Sequence, residues 1–206
     1  MNNSDLGKIH VALAMTGASG VQYGLRLLEV LLAGGHRVSL MLSQPAQVVI
    51  AMETDLGLPS GRKEMEAFFA ERFSANEGQL TMYGAKQWES PLASGSGAPD
   101  AMVVCPCTTG SLAAIATGQS RSLIERAADV VLKERRKLVM VVRETPFSDI
   151  HLENMLKLSR MGTVIMPANP GFYHRPKTLD DIVDFMVSRI LDQLNIPNDL
   201  IPTWGE

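Results

Sequence analysis

The chain has 206 residues, with 19 Lys and Arg against 22 Asp and Glu, for a formal charge of −3. That mildly acidic balance excludes the basic face a nucleic-acid partner requires, and no apolar run approaches the ~18 residues of a membrane helix. The length fits one domain whose core needs no disulfide or metal staple.

In chain order, Ile9–Met15 reads as a buried strand, followed by a helix over Val21–Leu32 with Leu25, Leu28 and Leu32 on one face. Gly34-Gly35 ends that helix. Arg37–Leu42 is a second strand, and Pro45 opens a helix reaching Met52. A helix is expected around Lys63–Phe73, and a strand at Ala101–Cys105. Helices at Thr108–Ala116 and Leu123–Lys133 lead to a strand at Leu138–Val142. Leu152–Met161 is a helix stopped by Gly162, Thr163–Met166 a short strand, and Leu179–Leu194 a closing helix. Strands alternating with helices of this length predict a three-layer α/β fold, Rossmann-like or flavodoxin-like, its mostly parallel sheet covered by helices on both faces. Ala93-Ser94-Gly95-Ser96-Gly97 is a low-complexity patch of linker composition.

Met1 to Lys8 is polar and lacks the charged-then-apolar order of a secretion signal, so a cytoplasmic protein is expected. Cys105 and Cys107 flank Pro106 with no matching Cys/His cluster; they read as buried reduced thiols, and no metal is expected.

Polar residues collect just after the strands: Thr16-Gly17-Ala18-Ser19-Gly20, Ser43-Gln44, Cys107-Thr108-Thr109-Gly110-Ser111, Arg143-Glu144-Thr145 and Asn169. In an open parallel sheet those positions converge on the crevice outside the carboxyl ends of the strands, where ligands bind. The Gly17–Gly20 turn could offer a helix N-terminus to an anion, or be a tight turn with a capping serine. The full dinucleotide fingerprint is absent and the second strand ends in Leu42-Ser43 without an acid, so a mononucleotide fits better than NAD. An N-cap explains one hydroxyl of Thr108–Ser111 but not three, which favours a ligand there. Arg126 and Lys133 share a helix face two turns apart, and Arg189 rides the last helix among apolar neighbours; each could clamp a phosphate or stay a solvated charge. Asp180-Asp181-Ile182-Val183-Asp184 spells a prenyl-diphosphate magnesium pattern, yet at a helix start the acids suit capping. Trp204 near the end could dock on a ligand, on a neighbouring chain, or on its own core.

Taken together, Thr16–Gly20, Ala93–Ser96, Cys105–Thr109, Arg126–Arg135, Arg143–Pro146, Pro170–Tyr173 and Ser188–Asp192 resemble, in order, the motifs of the UbiX family of flavin prenyltransferases. The broader group is that of homo-oligomeric flavin-containing decarboxylase-like proteins. The resemblance implies one flavoprotein domain over residues 1–206 and FMN, in its reduced form, as prenyl acceptor. It implies an FMN-binding set of Gly17, Ala18, Ser19, Ser43, Thr108, Thr109, Gly110, Ser111, Arg126 and Arg143. Ser94, Lys133, Arg143, Tyr173, Arg189 and Trp204 would hold dimethylallyl phosphate, and Ser19, Glu144, Lys133 and Glu53 would serve catalysis. It further implies a homo-oligomer, a dodecamer, with sites at subunit contacts, and delivery of the prenylated FMN to a UbiD-type decarboxylase.

The chemistry suits such residues, because cations around a leaving phosphate replace a magnesium ion and a carboxyl such as Glu144, with Ser19 as relay, can deliver a proton. Two alternatives stand beside it: an FMN-dependent decarboxylase of the same group, and a flavin store that binds FMN and returns it unchanged. The decarboxylase relatives carry an early catalytic histidine, whereas His36 here stands at the start of a strand, away from the crevice.

Overall fold

Six short runs of β-branched and aliphatic residues form one parallel sheet in the computed structural model, which describes residues 7–202 and 205. The elements are β1 (His10–Met15), α1 (Val21–Ala33), β2 (Arg37–Leu42), α2 (Gln44–Glu53), α3 (Arg62–Arg72), β3 (Leu80–Tyr83), β4 (Ala101–Cys107) and α4 (Thr109–Ala116). They continue with α5 (Leu123–Lys133), β5 (Lys137–Val142), α6 (Asp149–Arg160), β6 (Val164–Pro167) and α7 (Leu179–Gln193). Strand order is β3-β2-β1-β4-β5-β6, and every pairing is parallel. The α/β expectation holds.

Period-two alternation sends side chains of the central strands into two cores. Val11, Leu13 and Met15 pack with α1, α3 and α7 residues such as Leu28, Phe69 and Ile190. Ala12 and Ala14 face the other layer, with Leu112, Ala127, Val131 and Leu158 of α4, α5 and α6. Strands sealed on both faces read as continuous apolar runs, which is why these segments were legible. Gly24 lets α1 approach β4: a Cβ there would lie 2.3 Å from the Cys105 carbonyl oxygen.

Three local expectations change. Strand β3 was not anticipated, because four residues at a sheet edge, alternately buried and half-buried, carry too little periodic signal. The Ala93–Gly97 patch is not a slack linker but parts of two short 3₁₀ turns that cover α5. Helix α6 begins three residues earlier than expected, since Ser148 and His151 form a reciprocal capping box.

The amino edge of the sheet is tied by a half-buried histidine. Arg37 donates to His10 Nδ1 at 2.9 Å, so His10 Nε2 carries the proton and donates to Ser39 Oγ at 2.7 Å. Burial, with help from Arg37 and against Asp100, holds the His10 pKa down to about 4. A folded-state value below the ordinary 6.5 stabilises the fold fully above pH 6.5, and that contribution is lost as pH falls toward 4. The urea midpoint is expected to drop across this window, and the drop to shrink in His10→Gln.

Candidate active site at the carboxyl edge

Chain direction reverses about β1, whose neighbours β2 and β4 are reached from opposite sides, so a switch-point crevice opens between the loops after β1 and β4. Backbone bonds order the loops along this edge. Ser43 N donates to the Met15 carbonyl at 3.1 Å, Thr16 N to Pro106 at 3.1 Å, Arg143 N to Cys107 at 3.1 Å and Ala168 N to Val142 at 3.0 Å. Gly17, Ala18, Ser19, Ser43, Thr108, Thr109, Gly110, Ser111, Arg143 and Glu144 therefore belong to one row, as the sequence implied.

Within the row, several groups are already committed. Gly20, in the left-handed region at φ 95°, is the N-cap of α1, and Ser19 is not. The Glu53 carboxylate reaches from α2 to accept from Gly20 N at 2.8 Å and Val21 N at 3.3 Å. An anion does sit at the start of α1, but the protein supplies it. Ser43 caps α2 by accepting from Ala46 N at 3.1 Å. Thr108 accepts from Ser111 N at 3.1 Å and donates its hydroxyl proton to Ser111 Oγ at 3.0 Å, so two of the three hydroxyls form the cap. The Thr108 amide is not free either, since it donates to Thr16 Oγ1 at 2.8 Å. Thr16 is buried and was overlooked as a site residue, because a hydroxyl at the head of a glycine turn looks like part of the turn.

What remains uncommitted points at a ligand. Among the described residues, the half-buried Ser19 hydroxyl and the Thr109 and Gly110 amides have no hydrogen-bond partner, and the exposed Arg143 guanidinium forms no ion pair. Half-buried Glu144 accepts from Thr145 N at 3.1 Å through one oxygen, and its other oxygen has no partner among the described residues. Tyr23, on the first turn of α1, has its pKa raised by burial and then by Cys105, with Arg143 opposing. Burial pushes the Cys107 thiol up to about 12 and raises Cys105 likewise, so both are neutral, unreactive thiols. The two cysteines enter opposite cores, because β4 is irregular between Val104 and Cys107.

The remaining candidates fall into two other groups. Arg126 Nε donates to the Ala93 carbonyl at 3.1 Å and pairs with Asp129 at 2.7 Å. Lys133 pairs with Glu134 above Gly95, next to Ser94, so Ser94, Arg126 and Lys133 cluster on the predicted helix face. Lys133 ends α5 just before β5 begins, at the amino edge, and a six-residue strand at ~3.3 Å per residue separates the two edges by roughly 20 Å. Tyr173 and Arg189 line a cleft of about 370 Å³ with His174, Phe185, Ser188 and Asp192. Arg189 pairs with Asp192 at 2.6 Å and lies past Asp184, which holds Arg26 of α1 at 2.7 Å. Trp204 lies outside the described residues. A larger cleft of about 520 Å³, lined by Arg26, Asp55, Arg72, Asp180 and Asp184, holds none of the implied site residues among the described ones. Asp181 completes the capping box of α7 with Thr178, as the capping reading required. His36 is buried at the amino edge, where its Nδ1 accepts from Ile9 N at 3.2 Å, which separates it from the crevice.

The Flavoprotein family profile matches residues 1–191. The flavin prenyltransferase UbiX of Pseudomonas aeruginosa is 58% identical over 97% of this chain and 96% of its own. The chain belongs to the UbiX family of flavoproteins. Family members of known structure share its fold. AnUbiX, crystallised with FMN and dimethylallyl pyrophosphate, superposes with a TM-score of 0.85 at 36% identity, covering 97% of this chain and 98% of its own. A dodecameric FMN-dependent UbiX-like decarboxylase from Escherichia coli gives 0.83 at 39% identity, covering 96% and 100%.

Glu53→Ala, which orphans two helix-start amides, is expected to cost about 1 to 2 kcal/mol. Glu53→Gln, which keeps an acceptor oxygen, should lose less; urea denaturation of both variants measures the difference.

Proposed function

We propose that this chain is a flavin prenyltransferase that joins the dimethylallyl group of dimethylallyl phosphate to N5 and C6 of reduced FMN. The observation that carries the reading is a crevice whose uncommitted groups, among the described residues, include two amides, a serine hydroxyl, an arginine and a half-open carboxylate. That donor set suits a mononucleotide whose phosphate needs N–H donors and whose ring needs hydrogen-bonding neighbours. Bound there, reduced flavin supplies the nucleophile, and the chain supplies charge, shape and protons.

Arg143 stands at the crevice to neutralise a leaving phosphate, and cations do this best where water is excluded. Lys133, Tyr173 and Arg189 belong to the same clamp in this reading, yet they lie in the other two groups of the chain. A homo-oligomer resolves the separation: the amino-edge group and the α7 group of neighbouring copies would each meet the carboxyl edge of another. The dodecameric relative supports such an assembly. Glu144, with its open oxygen, delivers a proton to the isoprenyl double bond with Ser19 as relay, and the departed phosphate takes the proton that flavin C6 loses as the ring closes. The reading includes one flavoprotein domain, a cytoplasmic setting consistent with two reduced buried thiols, and a UbiD-type decarboxylase as user of the product.

Anaerobic incubation with reduced FMN and dimethylallyl phosphate, followed by mass spectrometry of the released flavin, tests this. A gain of one isoprenyl unit is expected, and unaltered flavin would instead favour the store or the decarboxylase. In Glu144→Gln the same mass should appear with ring closure slowed about a hundredfold, read from the flavin absorbance. Ring closure at the wild-type rate would remove Glu144 from that role.

A further inference from the structure

We infer that Thr16 is a positioning residue that sets the two halves of the flavin crevice in register, an inference that rests on the flavin reading above. The regular β1–β4 ladder ends at the Ala14–Val104 pair. Beyond it, Pro106 has no N–H to offer, and β4 slips its register against β5 between Val104 and Cys107. Past that pair the backbone offers a single bond between the loop after β1 and the loop after β4, from Thr16 N to the Pro106 carbonyl, and the Thr16 side chain adds two more. Its hydroxyl donates to the Pro106 carbonyl at 2.9 Å and accepts from Thr108 N at 2.8 Å, while its own amide donates to that same carbonyl at 3.1 Å.

The position of this stitch gives it its consequence. Thr16 immediately precedes the Gly17–Gly20 turn, and Thr108 is the cap from which the open Thr109 and Gly110 amides project. Thr16 is 1% exposed, so water does not compete for its bonds, and a buried hydroxyl with donor and acceptor both used has one rotamer available. A shift of one loop against the other would misplace the Ser19 hydroxyl relative to the Thr109 amide by the same amount. Thr16 touches no ligand in this account; it acts through Thr108 and the turn.

Thr16→Val keeps the shape and removes both side-chain bonds, and Thr16→Ser keeps the bonds and loses a methyl. FMN titration followed by flavin fluorescence should show roughly tenfold weaker binding in Thr16→Val and near wild-type binding in Thr16→Ser. Ser39→Ala, which breaks the His10 bond at the amino edge, serves as a control for general destabilisation and should bind FMN as the wild type does. Wild-type affinity in Thr16→Val, or a Thr16→Ser variant as weak as Thr16→Val, would overturn the inference while leaving the flavin reading intact. A wild-type protein that fails to bind FMN would overturn the flavin reading itself, and the inference with it. Should Thr16→Val not fold, amide hydrogen exchange at Thr108 in the FMN-free wild type decides the matter. Strong protection is expected; exchange at the rate of an open amide would show that the stitch is not formed in advance.

Discussion

The whole arrangement depends on the meeting of β1 and β4 at the centre of the sheet, where a regular backbone ladder gives way to one backbone bond and two side-chain bonds made by Thr16. Up to Ala14 and Val104 the two strands pair regularly, with every central side chain sealed in one of two cores. Past that point the chain must diverge to both sides, and a crevice opens. Thr16 and the irregularity around Pro106 govern how the crevice edges face one another. The same irregularity reverses the alternation, so that Cys105 and Cys107, two residues apart, enter different cores. Their neutral buried thiols thus line the sheet and do not form a reactive pair.

Charge at the edge is divided between structure and ligand. Glu53 takes two amides at the start of α1, and Ser43 takes one at the start of α2, so both helix starts are met in part from within the chain. The start of α4 uses two hydroxyls for its own cap and leaves two amides open. Among the described residues the open donors then include the Thr109 and Gly110 amides after β4, the Ser19 hydroxyl after β1 and the Arg143 guanidinium after β5, with the Glu144 carboxylate beside it. The separation of Lys133 from that edge follows from topology, since α5 ends at the amino edge, while Tyr173 and Arg189 share a cleft beside α7, which flanks α1.

Much of this was legible beforehand for identifiable reasons. Strands buried on both faces are unbroken apolar runs, and helices between them repeat with their own period, so the α/β class and most element positions could be read directly. The post-strand polar residues could be read as one site because parallel strands all deliver their carboxyl ends to the same edge. Strand β3 escaped notice since an edge strand of four residues is stabilised by its neighbours, including the Glu66 carboxylate that accepts from Met82 N at 2.6 Å.

The sequence by itself determined which residues would reach the carboxyl edge, since strand ends and chain order follow from local apolar patterning. Only the tertiary structure decided which of those residues are spent on holding the fold. Glu53 capping a helix 32 residues away, and Thr16 bonding across 92 residues to Thr108, are contacts between segments that no local pattern connects. A hydroxyl or carboxylate looks the same in a sequence whether it faces a ligand or an orphaned amide. Its partner is chosen by packing, and packing is set by the sheet.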